Sequence, residues 1–200
     1  MKSLKVFFPV ILFVVLVSNT VSAQNITSGS GGSIKTELDY GIIINKESSI
    51  TREWITVHDS SLPADITGTV GVKTIYEKGD RYSNGNYQYS AAYTITTKES
   101  IAAIEVRFLT FDIWGNHSRN LSAIDIVDMS SGTTRSFDNK WSIYSENEVS
   151  EYYASIAYIS QIRTMDGKVI KADTKAVLEQ ARKFAKKFTE GDLEPTPEKK

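Results

Sequence analysis

Apolar and polar residues alternate with a period of two along most of the chain between positions 38 and 172. The clearest stretch is 87–97, whose apolar face carries Tyr87, Tyr89, Ala91, Tyr93 and Ile95. Such alternation predicts a strand with one face buried and the other in water. Further strand-like stretches are 38–44, 50–58, 69–76, 121–127, 133–137 and 152–164. Because turn signals and no helix separate them, they predict an all-β fold, an antiparallel immunoglobulin-like β-sandwich spanning residues 38–172.

The stretch 103–113 departs from simple alternation because it is apolar on both faces. Ile104, Val106 and Phe108 lie on one face, and Leu109 and Phe111 lie on the other. Two interpretations are open: a central strand covered on both sides, or a bulge near Phe108 that switches the faces.

Two dipeptides predict tight turns between strands. Asn84-Gly85 precedes the stretch 87–97 and favours a hairpin with 69–76. Asp166-Gly167 favours a turn from the stretch 152–164 into 168–172.

Residues 173–190 have the period of a helix instead of a strand. An arc of about 120° holds the apolar residues Val177, Leu178, Ala181, Phe184, Ala185 and Phe188. We expect this C-terminal amphipathic α-helix to pack on the sandwich, because its apolar stripe must be covered. Residues 191–200 hold two prolines among charges and are expected to form a disordered tail.

The N-terminal segment 1–23 is typical of a signal peptide. Lys2 and Lys5 precede an apolar run of 12 residues, and the small residues Ser22 and Ala23 follow it. A 12-residue helix spans about 18 Å, whereas a bilayer core needs about 30 Å, so the run is too short to cross a membrane. The sequence predicts export by this signal peptide to a secreted or periplasmic location. The Gly/Ser-rich residues 24–37 are expected to form a flexible tether.

The motif Phe108-Leu109-Thr110-Phe111-Asp112, followed by Gly115, resembles the FxLYD family of extracytoplasmic β-sandwich domains. Phe111 stands where the family has Tyr, and Thr110 stands where it has Leu. The similarity extends over about residues 86–172. The resemblance implies an immunoglobulin-like sandwich outside the cytoplasm and supplies no catalytic residues.

Composition and charge exclude several functional classes. The chain has a net charge of −1 and no cysteine, so disulfides, zinc-thiolate sites and a cysteine nucleophile are excluded. The two histidines, His58 and His117, each have sequence neighbours that would point to the opposite side of a strand, so neither predicts a catalytic triad. The aspartates show no calcium-loop spacing. We therefore predict no catalytic residues, no metal and no cofactor, and we do not expect nucleic acid as a partner.

Two groups of residues are candidates for binding. The first is a set of tyrosines around one predicted hairpin: Tyr82, Tyr87, Tyr89 and Tyr93. Exposed rings there would contact a protein or a glycan, but their position on an apolar face favours a place in the core. The second is the basic face of the C-terminal helix: Arg182, Lys183, Lys186 and Lys187. This face predicts either peripheral membrane contact or a solvated surface near the negative end of the helix dipole.

The leading functional hypothesis is an exported, non-catalytic binding or interaction module for an unidentified protein or glycan. One alternative is a secreted hydrolase that uses carboxylates brought together by the fold, from the set Asp112, Asp125, Asp128, Glu146 and Glu148. Another is a structural subunit of a cell-envelope assembly, which would need an unpaired edge strand.

Overall fold

The computed structural model describes residues 24–33, 36–37, 43–45, 51–67, 70–77, 86–143 and 145–196. The predicted signal peptide and the predicted Asn84-Gly85 turn lie outside these residues. The strands are β1 (Gln24–Ser33), β2 (Thr36–Glu37), β3 (Ile43–Asn45), β4 (Thr51–Asp59), β5 (Ala64–Thr67), β6 (Lys73–Glu77), β7 (Asn86–Thr97), β8 (Ile101–Asp112), β9 (His117–Met129), β10 (Thr134–Ile143), β11 (Tyr152–Thr164) and β12 (Val169–Lys171). The helices are α1 (Glu146–Glu151), α2 (Lys175–Phe184) and a final 3-10 helix, Glu190–Leu193.

Most of these strands belong to two sheets. The larger sheet has the order β1-β4-β11-β8-β9, with β12 also paired to β11. The smaller sheet has the order β10-β7-β5, with β6 also paired to β7. Strands β2 and β3 form a separate two-stranded ribbon. Only the β4–β11 pair is parallel among the described strands, so the prediction of a mostly β fold with antiparallel sheets is confirmed.

The inner core lies between the two sheets. Tyr89 and Tyr93 of β7 and Phe108 of β8 are between 0% and 3% exposed there. Strand β8 keeps its alternation through Phe108, and the neighbouring Leu109 points to the opposite face of the larger sheet. The first interpretation of 103–113 is therefore correct: β8 is a central strand, paired on both sides and covered on both faces.

The outer core lies between the larger sheet and the C-terminal segment. Val177, Leu178 and Ala181 of α2 pack against Phe111 and its neighbours on the outer face of the sheet. The helix is shorter than the expected range 173–190, because Ala185 is extended, with φ −131° and ψ 99°.

Part of the segment expected to be a disordered tail is ordered in the structure. Residues Glu190–Leu193 form the final 3-10 helix. The backbone amide of Thr196 then donates to the carbonyl oxygen of Asn120 in β9, at 3.0 Å. Backbone pairing with an edge strand therefore orders the chain to this point despite its prolines.

Strand β11 does not keep one apolar face along its length. Register shifts occur between Tyr152 and Ala154 and between Ile159 and Gln161. Tyr152 and Ile162 therefore face the inner core, whereas Ala154 faces the outer core, although all three have even numbers. Strict period-two counting predicts one side for all three and is wrong here, because each bulge shifts the pattern by one residue.

Residues 24–33 form strand β1, not the flexible tether that their Gly/Ser content predicts. They pair antiparallel with β4, from Gln24 opposite Asp59 to Ser33 opposite Thr51. A Cβ atom on Gly29 would lie 2.2 Å from the Trp54 ring. Glycine at this position is thus what allows the indole to lie across β1.

Candidate functional site

A groove of about 740 Å³ crosses the outer face of the larger sheet beside α2. We call it the helix groove. Its polar lining residues come from five separate parts of the chain: Ser28, Ser30, Glu53, Asp112, Tyr153, Gln180 and Lys183. Its volume lies within the range of about 300–1,000 Å³ typical of small-ligand sites.

Tyr153 and Glu53 form the central polar contact of the helix groove. The Tyr153 hydroxyl donates a hydrogen bond to Glu53 Oε1. This bond, followed by burial and the carboxylate charge, raises the pKa of Tyr153 to about 12. The Tyr153 ring also meets Phe184 of α2 edge-on, with centroids 6.1 Å apart. The groove thus places an aromatic pair next to a hydrogen-bonded carboxylate.

The other charged groups of the groove differ in how they are held. Asp112 Oδ1 accepts hydrogen bonds from the amides of Trp114 and Asn116, at 2.9 and 2.8 Å, so its carboxylate is occupied by its own turn. Lys183 is exposed, and its Nζ donates to Oε1 of the buried Gln180 at 2.6 Å. The groove therefore carries two carboxylates, those of Asp112 and Glu53, and one ammonium group, that of Lys183.

A largely buried ion pair lies on the same outer face, outside the helix groove. Arg107 Nε contacts Glu105 Oε1 at 2.9 Å, and Ser122 and Gln161 also donate to the Glu105 carboxylate, at 2.8 and 2.7 Å. Burial opposes the charged form of Glu105. The hydrogen bonds from Arg107, Ser122 and Ser160 outweigh burial and hold the pKa of Glu105 below its usual range. Arg107 also donates to the Leu193 carbonyl, so the pair anchors the C-terminal segment.

A hydroxyl–imidazole–carboxylate chain lies at the rim between the two sheets. His58 Nε2 is 2.9 Å from Thr27 Oγ1, and His58 Nδ1 is 2.8 Å from Asp65 Oδ1. This order of groups is the one that activates a hydroxyl nucleophile in hydrolases. None of the three residues lines the helix groove. Because these residues come from β1, β4 and β5, their hydrogen bonds also connect the edge of the larger sheet to the smaller sheet.

The structure places the candidate tyrosines in different surroundings. Tyr89 is 0% exposed and meets Tyr152 edge-on. Tyr93 is 3% exposed, and its hydroxyl donates to Asp125 at 3.1 Å. Both rings are core residues and offer no surface to a ligand. Tyr87 is half-buried against the same core, and Tyr82 lies outside the described residues.

The four candidate basic residues, Arg182, Lys183, Lys186 and Lys187, are all exposed. Only the first two belong to α2, and Arg182 Nε folds back to donate to the Phe188 carbonyl at 3.2 Å. Because the apolar stripe of α2 already packs on the sheet, the helix has no apolar face left for lipid. Among the helices of the described segments, none has the length and hydropathy needed to span a bilayer.

The candidate acids of the hydrolase hypothesis have separate partners. Asp112 is held in its turn, Asp125 accepts from Tyr93, and Glu148 pairs with Arg119. Asp128 is exposed, with a positive φ of 42°. The Glu146 side chain lies outside what the structure describes. Across the described ranges, no group of three or more His, Asp or Glu side chains has the arrangement of a metal site.

The outer edge of β9 bears on the hypothesis of an assembly subunit. The Ser122 carbonyl accepts a hydrogen bond from Trp141 Nε1 at 3.0 Å, and the Val127 carbonyl accepts one from Arg135 at 3.3 Å. Together with the backbone contact to Asn120, these bonds occupy three of the carbonyl groups along β9 that a neighbouring strand could use.

Comparison of the chain with protein-family models, with curated proteins and with solved structures gave no match. Its function can therefore be inferred only from the geometry of its grooves and polar clusters. The groove residues Glu53 and Gln180 are not predicted as functional by the sequence. They carry no motif and come to the same groove as Tyr153 only through the pairing of β4 with β11 and the packing of α2.

Proposed function

We propose that this protein is an exported, non-catalytic binding module that holds a short neutral glycan in the helix groove. The observation that carries the proposal is the lining of the groove, where the aromatic pair Tyr153 and Phe184 adjoins a row of hydroxyl, carboxylate and amide groups. Sugars present apolar C–H faces that stack on aromatic rings, and hydroxyls that both donate and accept hydrogen bonds.

The charges of the groove favour a neutral glycan over an acidic one. Its ionised side chains are the carboxylates of Glu53 and Asp112 and the ammonium group of Lys183. The two carboxylates would repel an anionic ligand. Ser28 and Ser30 add hydroxyls on β1, whose side chains there are exposed.

Export is a further part of the proposal, and it is supported by residues 1–23. Their basic start, 12-residue apolar run and small residues before Gln24 are typical of a cleaved signal peptide. The lack of cysteine is compatible with an oxidising compartment, since the stability of the fold then depends on its cores and not on disulfides.

We also propose that the sandwich is immunoglobulin-like and related to the FxLYD domains. The supporting observation is that the motif residues Phe108 and Phe111 lie on the central strand β8, on opposite faces and in the two cores. Asp112 follows at the end of the strand, where it organises the turn that contains Gly115, with φ +83°.

The test is titration of the purified mature protein with neutral tetrasaccharides of glucose, galactose or N-acetylglucosamine, followed by NMR or calorimetry. We expect at least one to bind with a dissociation constant of about 0.1–1 mM. Tyr153→Ala should weaken this binding about tenfold, whereas Lys187→Ala, outside the groove, should leave it unchanged. Absence of binding at about 10 mM sugar, or full binding by Tyr153→Ala, would refute the proposal.

Ester hydrolysis is the second candidate function, and the chain Thr27–His58–Asp65 is the observation that favours it. We place it second because these residues lie outside the helix groove. Hydrolysis of p-nitrophenyl acetate by the protein, lost in His58→Gln and kept in His117→Gln, would support it. Equal rates of hydrolysis in the two variants would exclude a catalytic role for Thr27, His58 and Asp65.

A further inference from the structure

A second cavity, of about 310 Å³, lies on the outer face of the larger sheet between the sheet and the final 3-10 helix. It shares no lining residue with the helix groove. Its charged residues are Arg107 and Lys171, with Glu190 and Glu194. We call it the Arg107 cleft.

Arg107 is fixed in place by protein contacts on one side of its guanidinium. Its Nε group donates to Glu105, and Nη1 donates to the Leu193 carbonyl. A guanidinium has five N–H groups, so these two bonds position the side chain without using all its donors. The cation is therefore held rigidly where it lines the cleft.

Tyr158 provides a second observation, independent of the cleft's charges, that bears on what the cleft can bind. It is 2% exposed and lines the cleft beside Arg107. Its buried hydroxyl lies beside the Arg107 guanidinium, which can only donate, and its own proton meets no acceptor among the residues that the structure describes. Burial, only partly offset by Arg107, raises the pKa of Tyr158 to about 12, so the hydroxyl keeps its proton at neutral pH. Burying such a donor without an acceptor costs free energy, and a ligand in the cleft would remove that cost.

The remaining charges of the cleft restrict what this ligand can be. Lys171 attracts an anion, and the N–H groups of Arg107 that Glu105 and Leu193 leave free can donate to it, but Glu190 and Glu194 repel one. A ligand that carries one negative and one positive group matches both sets of charges. The volume of about 310 Å³ lies at the lower end of the range for small-ligand sites.

We propose that the Arg107 cleft binds a free α-amino acid. The ligand carboxylate accepts hydrogen bonds from the Tyr158 hydroxyl and the Arg107 guanidinium, with Lys171 nearby. The ligand ammonium group faces Glu190 and Glu194. This site is separate from the helix groove and does not depend on glycan binding.

The first experiment compares ligands by NMR titration of the mature protein. Glycine, L-alanine and L-glutamine serve as zwitterions, acetate as the matched anion and ethylammonium as the matched cation. We expect at least one amino acid to bind at least about tenfold more tightly than acetate or ethylammonium. No amino-acid binding up to about 10 mM, or equally tight acetate binding, would overturn the proposal.

The second experiment tests the residues with variants of the full mature chain. Tyr158→Phe removes only the hydroxyl and should weaken amino-acid binding about tenfold without lowering the urea midpoint. Lys171→Met, at an exposed position, should weaken binding severalfold. The controls are Lys73→Met on the smaller sheet and Tyr153→Phe in the helix groove, which should bind as the wild type does.

The two variants keep the outcome decisive. If Tyr158→Phe fails to fold, the exposed Lys171→Met variant still tests the site, because its side chain packs in no core. The assignment of the cleft would be overturned if Lys171→Met, and any Tyr158→Phe protein that folds, bound the amino acid as tightly as the wild type does. Loss of binding in Tyr153→Phe alone would place the amino acid in the helix groove instead, and would equally overturn it.

Discussion

Phe188 is the side chain whose removal should most directly test the outer core. It follows α2 and is only 3% exposed. Its ring meets His117 edge-on at 4.9 Å between centroids and lies 5.9 Å from Phe111. We expect Phe188→Ala to remove the contact that ties the end of α2 to the larger sheet.

The expected loss can be derived from burial. Truncating a fully buried phenylalanine to alanine costs about 3–5 kcal/mol, of which the transfer of the ring accounts for about half and the cavity for the rest. Phe184 also touches Phe111, at 5.2 Å, but it is only half-buried because one side borders the helix groove. Solvent can fill the space that Phe184→Ala leaves, so its cost should be about 1–2 kcal/mol.

Urea denaturation followed by circular dichroism measures both changes in the free energy of unfolding. Lys187→Ala is the matched control, because it is exposed and adjacent to Phe188, and it should change stability by less than about 0.5 kcal/mol. A Phe188→Ala loss of less than about 1 kcal/mol, or a larger loss in Phe184→Ala, would show that Phe188 does not anchor the outer core.

Three further predictions concern other parts of the structure. Burial lowers the pKa of His117 in the folded protein. The unfolded chain binds a proton at this imidazole near the ordinary pKa of about 6.5, whereas the folded protein binds it only at lower pH. The free energy of unfolding should therefore fall as the pH drops below about 6.5. Urea midpoints at pH 7 and 5 should differ less for His117→Phe than for the wild type, and an equal difference would contradict this cause. Gly29→Val should displace β1, because its Cβ would collide with the Trp54 ring. Hydrogen exchange should then be faster in β1, whereas Ser28→Val on the exposed side should leave the exchange rates unchanged. Glu105→Gln leaves the largely buried Arg107 guanidinium without its carboxylate, and it should lower the free energy of unfolding by about 3 kcal/mol. A decrease below about 1 kcal/mol in urea denaturation would mean that Glu105 and Arg107 are weakly coupled.

Strands were predictable where burial differed between the two faces. In β7 the apolar positions include Tyr89, Tyr93 and Ile95, and all of them face the inner core. The apolar pattern of β8 likewise indicated a strand covered on both faces, as the structure shows. In both strands the polarity of alternate residues is enough to predict which faces are buried.

Other elements depend on partners that are distant in the sequence. Strand β1 has little intrinsic strand propensity, and it becomes ordered because β4 offers a long backbone edge and Trp54 covers Gly29. The bulges of β11, after Tyr152 and after Ile159, are set by its pairing with β8, so counting along β11 alone could not find them.

The candidate sites were harder to predict than the strands. Glu53 and Tyr153 are one hundred residues apart and meet only through the parallel pairing of β4 with β11. The tyrosine face of β7 was conspicuous in the sequence because it is apolar, and that same property buries it. By contrast, the Tyr158 hydroxyl matters through the absence of an acceptor among the described residues, which is a property of the packed structure.

Both proposed sites depend on the C-terminal segment. Lys183 and Phe184 of α2 form one wall of the helix groove, and Glu190 and Glu194 border the Arg107 cleft. A ligand that binds only when this segment is docked must stabilise the docked state, by RT ln(1 + [L]/Kd), or about 2.7 kcal/mol at one hundred times Kd. Amide exchange in α2 should therefore slow when either ligand is added, whereas exchange limited by opening of the inner core should respond less. The outer layer thus links ligand binding to the stability of the C-terminal segment, while the two-sheet core supplies the rigid surface against which both sites form.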